Sequence, residues 1–114
     1  MITLAKKKAL NDWIKLEEVE IKIDYPTLEQ EQKLQEIRFS KEFSTAVYIE
    51  YVQRYLKYVI KDWKGISEPC QLVNNELEDN LWWSLVKNTD QAIKLYTVIE
   101  KELELLDTDK KKSN

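Results

Sequence analysis

Apolar and polar positions follow two different rhythms along this chain. Between Trp13 and Ile23 the rhythm has period two: Ile14 and Leu16 alternate with polar neighbours, then Val19, Ile21 and Ile23 alternate with Glu18, Glu20 and Lys22. The phase slips by one at Glu17–Glu18, which predicts a β-bulge or a break between two short strands. The β-branched content favours strand over helix. Asp24-Tyr25-Pro26 then ends the ladder, because proline has no N–H to contribute.

Beyond Pro26 the rhythm becomes helical. Thr27-Leu28-Glu29-Gln30 has the form of a capping box and opens a helix to about Phe39, on which Leu34 and Ile37 share a face while Gln and Glu cover the rest. Ser40 is placed to cap the next helix. That helix, Phe43 to Trp63, is the longest unbroken apolar-periodic stretch, and it ends at Gly65, the only glycine. At ~100° per residue its apolar arc spans roughly 200°, wider than a surface helix needs. Ile49, Val52, Leu56, Val59, Ile60 and Trp63 form an aliphatic half that reads as core. Tyr48, Tyr51, Tyr55 and Tyr58 line one flank, readable as core edge or as a surface for a partner, and Glu50, Gln53, Arg54, Lys57 and Lys61 form the polar sector. Gly65 reads as a helix C-cap.

An irregular connector, Ser67 to Val73, follows. Asn75-Glu76-Leu77-Glu78 then predicts a restart with Asn75 as cap and a face of Leu77, Leu81 and Leu85 extended by Trp82 and Val86. Trp83 lies about 150° away among Asp79, Asn80 and Lys87. Asn88 or Thr89 caps a last helix, roughly Asp90–Leu106, burying Ala92, Leu95, Tyr96, Ile99, Leu103 and Leu106. The expectation is an α+β fold, mostly α: a short N-terminal β segment, then about four helices packed around a long central one. Residues 1–109 form a single domain in this reading and 110–114 a polar, disordered tail, while Ile2, Leu4, Ala9 and Leu10 are available to pack on the body.

Charge and composition narrow the function. The net charge is −3, but residues 65–109 carry three basic and ten acidic groups, a net of −7. That imbalance argues against binding a phosphate backbone. Among the 114 residues there is no histidine and a single cysteine, Cys70, so an internal disulfide, a His-based triad and the usual zinc sites are excluded. Lys6–Lys8 lack a following apolar run, and no stretch approaches the ~18 apolar residues of a membrane span. A cytoplasmic protein without cofactor, metal or catalytic residues is expected. Cys70 has no base beside it in sequence, and the carboxylate pairs Glu76/Asp79 and Glu100/Glu104 read as solvated helix faces. Trp83 and the tyrosine flank, by contrast, are of the types most enriched at interface hot spots. Trp83 has two readings: a partner or self-association contact, or packing on the N-terminal strand.

Asp62-Trp63-Lys64-Gly65-Ile66, preceded by Val59-Ile60-Lys61 and followed by Cys70-Gln71-Leu72 and the acidic Asn75-Glu76-Leu77-Glu78, resembles a stretch found in the tail assembly chaperones of long-tailed bacteriophages. The upstream order is also similar, with a β segment, an Asp-Tyr-Pro-Thr entry and a polar helix, and so is the lysine-rich end. The resemblance implies a non-enzymatic protein that binds the tape measure protein, helps recruit tail-tube subunits in the host bacterial cytoplasm, and is absent from the mature virion. Tyr48, Tyr51, Tyr55, Tyr58 and Trp83 are the candidate partner contacts. The alternative is a small phage-encoded regulator or inhibitor of a host protein or nucleic acid.

Overall fold

A computed structural model describes residues 12–39, 42 and 44–112, with side chains from 13 to 103 over the same ranges. The expectations for the first eleven residues and for Ser40 lie outside them. The chain is α+β. Strands β1 (Asp12–Leu16) and β2 (Val19–Ile23) precede helices α1 (Leu28–Phe39) and α2 (Thr45–Val59). Strand β3 (Ile60–Lys64), the two-residue strands β4 (Leu72–Val73) and β5 (Glu76–Leu77), and helices α3 (Asp79–Val86) and α4 (Thr89–Lys112) complete the order.

The phase slip at Glu17–Glu18 is a hairpin turn. Leu16 pairs with Val19, Ile14 with Ile21 and Asp12 with Ile23. A two-residue loop pairs even positions with odd ones, so side chains that keep to one face must change parity across it. Glu17 takes the turn at φ 54°. Thr27 and Gln30 form the reciprocal cap predicted: the Gln30 N–H donates to Thr27 Oγ1 at 3.2 Å and the Thr27 N–H to Gln30 Oε1 at 3.0 Å.

The central helix departs from expectation. It begins after Ser44, whose hydroxyl accepts from the Val47 N–H at 3.2 Å, and stops at Val59, with Ile60 already extended at φ −79°, ψ 123°. Ile60–Lys64 therefore form a strand rather than the last helical turn, and Gly65 ends a strand rather than capping a helix. β3 pairs antiparallel with β2, so the sheet order is β1-β2-β3. Opposite Lys22–Ile23 the pairing skips from Asp62 to Ile60, leaving Lys61 as the extra residue of a bulge. The bulge lets Ile60 and Trp63, three apart, both face inward opposite Ile23 and Ile21. Three-residue spacing between buried positions is also what a helix would show.

A second difference follows the connector. Leu72–Val73 and Glu76–Leu77 pair as a small hairpin around Asn74 and Asn75, at φ 53° and 65°. Asparagine tolerates such a turn better than most residues. Asn75 is thus a turn residue and Leu77 a buried strand residue; α3 starts later, capped by Glu78, whose carboxylate accepts from the Asn80 and Leu81 N–H groups at 3.0 Å each. Asn88 caps α4 as expected, its side chain accepting from the Gln91 N–H at 3.1 Å. α4 runs to Lys112, beyond the predicted end and into the expected tail.

α2 touches α1, α3, α4 and β5, yet it has 15 residues against the 24 of α4, so the shared element is not the long one. The core joins Val52, Leu56 and Val59 of α2 to Ile23 and Ile60 of the sheet, Leu77 of β5, Val86 of α3 and Ile99 of α4, all nearly inaccessible. Ala92, Leu95 and Leu103 complete the inward face of α4 as predicted, with Tyr96 half-buried beside them.

Candidate functional site

The tyrosine flank is a seam between α2 and α4. Tyr55 and Tyr58 are buried, and Tyr48 and Tyr51 are half-buried. Tyr96 of α4 joins them edge-on: its ring centroid lies 5.1 Å from that of Tyr55, 6.2 Å from Tyr51 and 6.3 Å from Tyr48, with interplanar angles of 82° to 90°. These are the offsets at which aromatic quadrupoles attract. Burial, then the charge of the Glu100 carboxylate and the hydrogen bond it accepts from the hydroxyl, push the Tyr55 phenol far above its ordinary range. Burial and then Glu100 do the same to Tyr96. Tyr55 and Tyr58 therefore act through packing, and Glu100 is engaged with Tyr55 rather than serving as half of a carboxylate pair.

The polar sector of α2 is engaged as well. Lys57, which helical periodicity places on a solvated face, is 4 % exposed. Its ammonium donates to the Leu77 carbonyl at 3.0 Å and to Asp79 Oδ1, and it lies 4.7 Å from the centroid of the Trp82 ring. The Arg54 guanidinium sits over the same ring at 5.0 Å, and Trp82 Nε1 donates to the Gln53 carbonyl at 2.8 Å. Lys61 donates to the Tyr58 and Asn75 carbonyls at 2.7 and 2.8 Å, and Lys64 lies over Trp13 at 4.2 Å. The four cations of this stretch are thus engaged within the chain, and the pairing of Asp79 with Lys57 removes the Glu76/Asp79 carboxylate pair.

The Asp62–Ile66 motif occupies the junction between sheet and helices. Asp62 accepts from the Trp63 N–H at 2.8 Å, and buried Trp63 pins the following loop by donating Nε1–H to the Glu68 carbonyl at 2.7 Å. Gly65, at φ 86°, passes directly under the β1–β2 turn; a Cβ there would clash with the Glu18 carbonyl oxygen and press on Val19 Cα at 3.3 Å. Ile66 then lines an apolar cleft of about 520 Å³ with Leu16, Val19 and Ile21 of the hairpin, Leu85 of α3 and Leu95 of α4. Lys94 and Glu17 bridge its rim at 3.6 Å, an exposed pair of little energetic weight. Sequence periodicity does not disclose this cleft, because its walls come from four separate stretches.

Trp83 is 57 % exposed. Trp63 is buried, while Trp13 and Trp82 each lie under a cation; among the described residues no hydrogen bond or ring contact engages the Trp83 side chain. Its reading as packing on the N-terminal strand is not what the structure has.

Cys70 is half-buried, and burial, followed by Asp62, pushes its thiol up to about 11. At pH 8 it is expected to react with iodoacetamide about tenfold more slowly than an unperturbed thiol, the lost thiolate being partly offset by greater nucleophilicity. Mass-spectrometric alkylation kinetics against a short unstructured cysteine peptide would check this.

Among the described residues no group of acidic, His or Cys side chains is arranged to hold a metal ion, and no helix is long and apolar enough to cross a membrane. Comparison with protein families, curated proteins and solved structures finds no match to this chain.

Proposed function

We propose that this chain is a non-enzymatic tail assembly chaperone of a long-tailed bacteriophage, acting in the host cytoplasm, that holds helical segments of the tape measure protein and helps bring tail-tube subunits to it. The observation that carries the reading is Trp83, a large apolar side chain left in solvent on a scaffold that engages its other tryptophans. A protein that keeps a hydrophobic client dispersed needs accessible apolar surface together with net charge. Ile66, the last residue of the motif, supplies a second apolar feature at the wall of the cleft.

The reading is tested by coexpression with the tape measure protein encoded beside it. Retention of the client in the soluble fraction and co-purification support it; unchanged client solubility with nothing bound overturns it. Trp83→Ala is expected to change folding stability by no more than about 0.5 kcal/mol, as for other exposed positions. The same change is expected to weaken client binding about tenfold or more, as hot-spot tryptophans do. Urea unfolding and calorimetric titration read the two effects separately.

A further inference from the structure

We infer that the segment Ile2–Lys6 of this chain docks antiparallel on the outer edge of β1 as a further strand, so that Ile2 extends the wall of the apolar cleft beyond Leu16. This inference is independent of the chaperone reading. β1 ends the sheet order β1-β2-β3, and its one strand neighbour among the described residues is β2. An edge of this kind presents N–H and C=O groups for pairing, and native proteins cover or blunt it. The inward face of the edge also has apolar surface to spare. Ile14 is buried, but Leu16 is half-buried at the wall of the cleft.

Residues 1–11 precede Asp12, where β1 starts. They include two alternating apolar residues, Ile2 and Leu4, followed by Lys6, Lys7 and Lys8. Setting Lys6 opposite Asp12 leaves Lys7–Asn11 as the connection, a length of about five residues that hairpins commonly use. The same register sets Leu4 opposite Ile14 and Ile2 opposite Leu16. Directly opposed residues of an antiparallel pair share a face, so both apolar residues turn toward the core. Thr3 and Ala5 then lie opposite Lys15 and Trp13, on the exposed face. Lys6 and Asp12 carry opposite charge, which favours their pairing. Other registers lose these matches. A slip of one residue turns Ile2 and Leu4 outward. A slip of two sets either Lys6 against Ile14 or Leu4 against Asp12. A second copy of β1 laid centre on centre would set Asp12 against Leu16 at both ends. The segment also arrives tethered, at an effective concentration of roughly millimolar, which a separate chain does not reach.

The test uses the full chain, with Cys70→Ser as the background for pairs of introduced cysteines. Thr3→Cys with Lys15→Cys should close an intramolecular disulfide under mild oxidation, because opposed residues lie about 4.5–5.5 Å apart. Thr3→Cys with Glu20→Cys should close about tenfold more slowly. Glu20 pairs with Lys15 from the far side, one strand further in, about 10 Å from the segment. In the unsubstituted protein, amide exchange over Ile2–Lys6 should be about tenfold slower than in a free peptide of that sequence. Parity gives a third reading: Leu4→Asp should lower the melting temperature by roughly 5 °C, and Thr3→Glu should leave it within about 2 °C. Equal closure of the two cysteine pairs, unprotected amides, or equal effects of Leu4→Asp and Thr3→Glu overturns the inference. So does a dimer in sedimentation whose disulfide joins two chains, which would give the edge to a second copy.

Discussion

Gly65→Ala is expected to lose about 3 kcal/mol of folding stability, adding the strain of a positive φ to the overpacking of a new Cβ. Gly65 sits at φ 86°, where an L side chain is disfavoured, and a Cβ built on it would lie well inside contact distance of the Glu18 carbonyl oxygen. Relief would require the hairpin turn to move away from β3, yet Val19 is held by its pairing with Leu16 and Glu20 by its pairing with Lys64. In a domain of this size the loss corresponds to a fall in melting temperature of roughly 10 °C. Urea unfolding is the direct check. A variant as stable as the wild type would mean that the turn yields freely and that the motif does not tie hairpin to helices.

Lys57→Ala is expected to cost a similar amount, about 3 kcal/mol, from the lost packing of the stem and a buried carbonyl left without its donor. The carbonyl is that of Leu77, itself 1 % exposed, and the same ammonium holds Asp79 at the start of α3. Lys57→Met separates the contributions: it keeps the stem and should recover the packing part only. Acid supplies a second reading. The Asp79 carboxyl is held below its usual range by the hydrogen bond from Lys57 and then by the lysine charge. A carboxyl depressed on folding adds stability that is fully present above its unfolded pKa and is lost as pH falls through the folded one. Wild type should therefore lose stability below about pH 4 more steeply than Asp79→Asn. Parallel loss in the two proteins would show that this pair contributes nothing to acid sensitivity.

How far the fold could be read from residues depended on whether each signal was local. The alternation through Trp13–Ile23, the Thr27/Gln30 box, the Asn88 cap and the face of Ala92, Leu95 and Ile99 are all properties of neighbours in sequence, and each is realised. The failures arose where one pattern serves two structures. Val59, Ile60 and Trp63 satisfy a helical wheel, and the bulge at Lys61 satisfies the same spacing in a strand. Asn75 is as good a turn residue as it is a helix cap, and the pairing of Leu72 with Leu77 decided the matter. The exposure of Trp83 was legible because its wheel position disagreed with its chemistry. The burial of Tyr55 and Tyr58 was not, because only the arrival of α4 and of the Glu76 strand turns the flank inward. Lys57 was missed because lysine is ordinarily a surface residue, and nothing in sequence ties it to Leu77 and Asp79, about twenty residues on.

α2 passes into β3 without a connecting residue, since Val59 ends one and Ile60 begins the other. This fixes an order of events when the chain folds. The β1–β2 hairpin closes over a two-residue turn and can form early from local contacts alone. The third strand must instead close a loop containing everything from Asp24 to Val59, which carries a larger entropic cost. Because no slack separates helix from strand, docking of α2 delivers β3 to the hairpin in its final register. The sheet is therefore completed by the helix, and the seating of Gly65 under the hairpin turn is tied to the docking of α2.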